Sequence, residues 1–205
     1  LQLTKNQRKE KRKLLISIKN RVNKGWPTGA VKLLSQNYVI TLLDQVEIDQ
    51  QKELIAKGYF LANKNELAIN YANQALENSF IHVPYANWTA GLASWRLQNY
   101  KSAAKFFSDF SISINEDEWH QASGSFWAAR SYAKLKDYEK INYWLKRASI
   151  NPNSFYGMLS SIILGIDEPI DWSIDKIDPR IEKKITSLPS GKRMQALIQV
   201  GLIEE

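Results

Sequence analysis

The sequence predicts an all-α protein, a right-handed superhelix of stacked helical hairpins. Three observations carry that prediction. Helix-forming residues run in long stretches, and the 205 residues include only 9 Gly and 6 Pro, too few for a turn-dense β architecture. Small or apolar residues recur at i, i+4 and i+8 in successive segments, the period of a buried helix face. Three of those segments also align at a nearly constant spacing, which marks a repeat protein. With 44% apolar residues, the chain has material for a substantial core.

The elements follow in order. Thr4 is placed to cap a basic helix that fills residues 1–24 and stops at Gly25-Trp26-Pro27. A second helix starts near Pro27 or Thr28 and carries Ala30, Val31, Leu33 and Leu34; a third runs from about Asp44 to Leu61. Then come the repeats, NKNELAINYANQA, NYKSAAKFFSDFS and DYEKINYWLKRAS, which begin at Asn63, Asn99 and Asp137. Their register pairs Leu67 with Ala103 and Ile141, Tyr71 with Phe107 and Leu145, and Ala75 with Ser111 and Ser149. Further helices precede them, notably from Tyr85 and Asp117, so residues 25–165 read as hairpins of about tetratricopeptide length stacked into a solenoid. Ala90, Gly91, Ala93, Ala103, Ala104, Ala128 and Ala129 fall where adjacent helices must approach closely.

The stretch NPNSFYGMLSSIILG from Asn151 reads as one helix capped by Asn153 or Ser154 and ended by Gly165. Gly157 is expected to lie at a helix crossing, with Phe155 and Tyr156 filling the space beside it. Residues 166–205 read as a loop of about 12 residues and two short helices, near Pro179–Ser187 and Gly191–Ile203.

Charge and composition narrow the functions. The net charge of +7 is concentrated in residues 1–24, where nine Lys or Arg accompany one Glu; 19 basic and 20 acidic residues remain from Gly25 onward. A basic terminal helix can touch nucleic acid, anionic lipid or an acidic polymer. A solvated face is the commoner explanation, and nucleic-acid binding is not expected. The absence of cysteine excludes disulfides, thiolate metal sites and thiol nucleophiles. No apolar run reaches the length of a membrane span. The chain opens on Leu1 and reads as a processed or excised piece.

Candidate chemistry is sparse. His82 and His120 stand in unrelated settings and suggest no metal site or triad, and no glycine-rich phosphate loop occurs, so no cofactor is expected. Glu116, Asp117 and Glu118 form the densest carboxylate cluster. With Asn115 as N-cap they fall in a first helical turn, which favours acids without any catalytic role. Trp88, Trp95, Trp119, Trp127 and Trp144 lie in the repeats and read mainly as packing between layers, while Trp26 and Trp172 stay open. Arg130, on an Ala-rich helix, is expected to satisfy neighbouring carbonyls or pair with an acid such as Asp137.

Several helices resemble the superhelical region of soluble lytic murein transglycosylases, especially the alphaproteobacterial branch. The words are GWPTGAVKLL, AKGYFLANKNELAINYANQA, VPYANWTAGLASWRLQNYKSAAKFF, SFWAARSYAKL and WLKRASINPNSFYGMLSSIILG, in that order, followed by KRMQALIQVGL. The resemblance covers most of residues 25–202. It implies a periplasmic protein acting on peptidoglycan, whose N-acetylmuramic acid to N-acetylglucosamine bond is cleaved to a 1,6-anhydro product. In that family the glutamate acid/base lies in a separate domain, in a Glu-Ser pair that this sequence lacks. Phe126, Trp127 and Arg130, then Phe155, Tyr156 and Gly157, are the family words that carry over, as markers of consecutive layers. The implied partners are peptidoglycan and a catalytic domain. A tetratricopeptide-like module that binds a protein or peptide, unconnected with the cell wall, is the alternative.

Overall fold

The computed structural model describes residues 3–113, 117–166 and 178–201. It is all-α over these residues, with twelve helices. Two compact units divide the chain, Leu1–Glu168 and Pro169–Glu205.

In the first unit, α1 (Lys5–Asn23) begins at Thr4 with a reciprocal capping box: the Thr4 hydroxyl accepts from the Gln7 amide and the Gln7 side chain accepts from the Thr4 amide. Gly25, at φ +73°, makes the stop that the sequence announces. Then follow α2 (Pro27–Leu34) and the short α3 (Val39–Leu42), which the sequence reading did not separate. Leu14, Ile18 and Val22 of α1 share a core with Val39, Leu42, Ile55 and Tyr59.

The hairpins are α4 (Gln45–Leu61) with α5 (Asn65–Ser79), α6 (Pro84–Arg96) with α7 (Tyr100–Ser113), and α8 (Glu118–Leu135) with α9 (Tyr138–Ser149); α10 (Phe155–Leu164) follows. Consecutive helices pack throughout, and α4 also touches α6, as α8 touches α10. The turn inside each hairpin is the same. Asn63, Gln98 and Lys136 sit two residues before the second helix at φ +58°, +59° and +58°. None is glycine, so the non-asparagine positions bear the steric cost of the left-handed region.

The small residues behave as expected: Ala90, Ala93, Ala103, Ala104, Ala128 and Ala129 are all buried. A Cβ on Gly91 would come within 2.7 Å of the Phe107 ring. The repeat register holds at Ala75, Ser111 and Ser149, all buried, but slips earlier in the first repeat, where Leu67 is 40% exposed and Tyr71 half-buried while Ala68 and Ala72 are fully buried.

Two local expectations are corrected. Asp117, not Asn115, caps α8, and its carboxylate accepts from the His120 amide at 3.1 Å. Gly157 does not serve a helix crossing. A Cβ there would lie 1.8 Å from the Asn151 carbonyl oxygen, so its own capping turn demands glycine. Ser154 completes that turn by donating to Asn151 and accepting from the Gly157 amide. Asn115, Glu116, Trp172 and most of the loop expected from Ile166 lie outside the described residues.

The second unit holds α11 (Pro179–Ser187), as predicted, and α12 (Pro189–Gln199), which starts two residues before the predicted Gly191. Ile181, Ile185, Met194 and Ile198 are exposed on these helices. Among the described residues, no helix is long and apolar enough to cross a membrane.

Candidate functional site

Four helices line a groove of about 550 Å³: α4, α6 and α8, the first helices of the three hairpins, and α10, which follows them. Helical spacing explains how each contributes. Lys57, Phe60 and Leu61 share one face of α4, and Tyr85, Trp88, Thr89 and Leu92 one face of α6. Trp119, His120 and Ser123 follow from α8, then Phe155 and Tyr156 from the first turn of α10. Trp119 is 62% exposed and Phe155 56% exposed, so both rings face solvent at the groove instead of filling the core.

Beneath the exposed rings lies a rigid aromatic floor. Trp88 meets Phe107 edge-on at 5.4 Å and Phe110 at 5.2 Å. Tyr85, itself 43% exposed, joins the exposed rings and meets the His120 ring edge-on at 5.4 Å. Phe126 and Tyr156 lie 5.1 Å apart, and Trp127 donates its indole N–H to the Tyr156 hydroxyl at 3.3 Å. These contacts bring Phe126, Trp127, Phe155 and Tyr156 to one side of the unit. Arg130 stands over the faces of Trp127 and Trp95, at 4.5 and 5.2 Å. Its expected acid takes a different partner, since Asp137 accepts from Lys140. The carbonyl-capping task foreseen for Arg130 belongs to Arg96, which donates to Phe60 O at 2.9 Å across the α4–α6 contact.

Most hydroxyls at the groove are already used. Ser123 donates to the His120 carbonyl, and Ser154 is spent on the α10 cap. Other polar groups lining the groove are the Lys57 ammonium, the Tyr85 and Thr89 hydroxyls, and the His120 imidazole, which pairs with Asp117. The hydrogen bond from the His120 amide is the main influence holding Asp117 below the usual carboxylate range. Burial raises the Tyr85 phenol, helped by Asp117 and Glu53.

Behind the groove, Glu53 accepts from the Ala86 amide at 2.9 Å, serving as a cap for α6 supplied by α4. Burial pushes its pKa up to about 7, against the amides of Ala86 and Tyr85 and the charge of Lys57. A carboxyl with that pKa is a candidate acid/base by itself. Glu53 is engaged with backbone amides, however, and does not line the groove. His82 is exposed and does not line the groove either, and no three His, Asp or Glu side chains among the described residues are grouped to hold a metal.

Sequence reasoning passed over Tyr85, Trp119 and the Phe60–Leu61 end of the groove as a set. A signal was present: Tyr85, Trp119 and Phe155 recur at nearly the repeat spacing, at the beginning of α6, α8 and α10. No protein-family model, curated protein or solved structure matches this chain.

Proposed function

We propose that the chain is a non-catalytic, right-handed superhelical module of a periplasmic protein of the soluble lytic murein transglycosylase type. In this reading the groove formed by α4, α6, α8 and α10 holds peptidoglycan strands for a catalytic domain that cleaves them to 1,6-anhydro products. The observation that carries it is the row of exposed rings, Tyr85, Trp119 and Phe155, one from each successive layer. Sugar rings present flat C–H faces that stack on such aromatics. Lys57 at the rim suits the carboxylates of the stem peptides. The repeated turn at Asn63, Gln98 and Lys136 supports stacking of equivalent hairpins, and the ordered family words support the lineage.

The test is retention on purified sacculi. The chain is expected to be retained, the double variant Trp119→Ala/Phe155→Ala to lose most of that retention with an unchanged melting temperature, and neither to release anhydro-muropeptides. Equal retention of the variant, or turnover by the chain alone, overturns the reading.

A second reading has its own observation. Leu61, 68% exposed, and Leu92 make the α4 end of the groove aliphatic, which suits an apolar side chain of a bound peptide in a tetratricopeptide-like interaction module. Capture of a soluble protein in preference to sacculi, lost on Leu61→Asp, would favour it.

A further inference from the structure

The outward face of α1 plays no part in the groove. Lys5, Arg8, Lys9, Arg12 and Lys19 are exposed and fall within an arc of about 100° on a helix that rises about 1.5 Å per residue. The opposite face, Leu14, Ile18 and Val22, is buried in the protein, so the cationic stripe is fixed in orientation. Among the described residues, none of the five has a carboxylate within salt-bridge distance; Lys11, on the flank, is the α1 side chain that pairs, with Glu47. Helix stability does not account for the stripe. The first turn contains no acid, and cations there oppose the positive end of the helix dipole.

We propose that this face is a docking surface for an anionic lipid bilayer. Its shape fits a plane: a straight stripe on a helix anchored along its back, so all five cations can reach one flat surface together. Its chemistry fits the headgroup region. Ile16, 48% exposed, lies within the same arc, between Arg12 and Lys19 along the axis, and the stems of the long Lys and Arg side chains can lie along the surface while the charges reach phosphates. A nucleic-acid duplex would press the exposed Ile16 against its phosphates.

The experiment is sedimentation of the full chain with phosphatidylcholine vesicles containing about 40 mol% phosphatidylglycerol, against pure phosphatidylcholine. Binding is expected only to the anionic vesicles, and it should vanish near 1 M salt, where the screening length shrinks to about 3 Å. The triple variant Arg8→Gln/Arg12→Gln/Lys19→Gln should bind roughly 100-fold more weakly, at about fivefold per charge. The matched variant Lys101→Gln/Lys105→Gln/Lys146→Gln removes the same charge from other exposed positions and should bind as the parent does. Equal losses in both variants, no binding at low salt, or displacement from vesicles by duplex DNA at equal phosphate concentration would each overturn the proposal. These variants leave the groove rings intact, so vesicle binding and sacculus retention are read independently.

Discussion

The seam that joins α4, α5 and α6 is held by buried carboxylates, whereas the seam that joins α7, α8 and α9 is held by hydroxyls and rings. In the first, Asp49 is fully buried and accepts from Ser79 at 2.9 Å, Lys52 at 2.8 Å and Gln45 at 3.0 Å, while Glu53 caps α6. In the second, Ser111 and Ser125 share a hydrogen bond at 2.7 Å, and Arg147 donates to the Ser111 hydroxyl at 3.3 Å. The same hairpin geometry is thus secured in two ways. The early seam should respond to charge and pH, and the later one to volume.

The largest expected effect breaks the later seam. A side chain at Gly124 of α8 meets the Ser111 backbone nitrogen at 2.9 Å, a group that cannot move without displacing α7. At Gly58 of α4 the obstacles are side-chain carbons, Val22 at 2.9 Å and Pro27 at 3.2 Å, with no backbone atom among them. Gly124→Val should therefore cost about 3 kcal/mol and Gly58→Val distinctly less, as read from urea unfolding. Equal costs would mean that both regions are limited by volume.

Next in size is the early seam. Asp49→Ala leaves the buried Ser79 hydroxyl without its acceptor and separates Lys52 from its partner, at a cost of about 2 kcal/mol. Ser125→Ala should cost under about 1 kcal/mol, because the Ser111 hydroxyl can still donate to the Gln121 carbonyl. If the serine variant proves the more damaging, the contrast between the seams fails.

Protonation sharpens the same contrast. The folded Glu53 holds a proton up to about pH 7, whereas the unfolded chain releases it near 4.5. Between those values the folded state binds more protons, so stability falls as pH rises, by about 1–3 kcal/mol in all. Glu53→Gln retains an acceptor for the Ala86 amide and removes the titration, so melting curves from pH 5 to 8 should flatten in that variant. An unchanged pH dependence would reassign the effect.

The sequence revealed the elements better than the surfaces. Caps and stops are local chemistry, which is why Thr4, Gly25, Asp44 and Gly165 could be read directly. The face a ring takes depends on its neighbours: Phe155 looked like core beside Tyr156, yet the Ser154 cap starts α10 so that Tyr156 packs on Phe126 and Phe155 points to solvent. Arg130 was misread for a related reason. Trp127 stands one turn before it on α8, but Trp95 lies on α6, and only the folded chain brings both rings under one guanidinium.

The smallest expected effect probes what the two regions share. Each hairpin turns through a left-handed, non-glycine residue, which is Asn63 between α4 and α5 and Lys136 between α8 and α9. Asparagine tolerates that conformation because its short side chain can hydrogen-bond locally, while lysine meets the full clash of Cβ with the backbone, about 1–2 kcal/mol. Glycine relieves the clash but gives back some of the gain through its greater freedom in the unfolded chain. Lys136→Gly should therefore stabilise by about 0.5–1 kcal/mol, and Asn63→Gly should be nearly neutral, as measured by the shift in melting temperature. Equal gains at both sites would show that the turns are strained alike, and that the difference between the regions lies wholly in their buried seams.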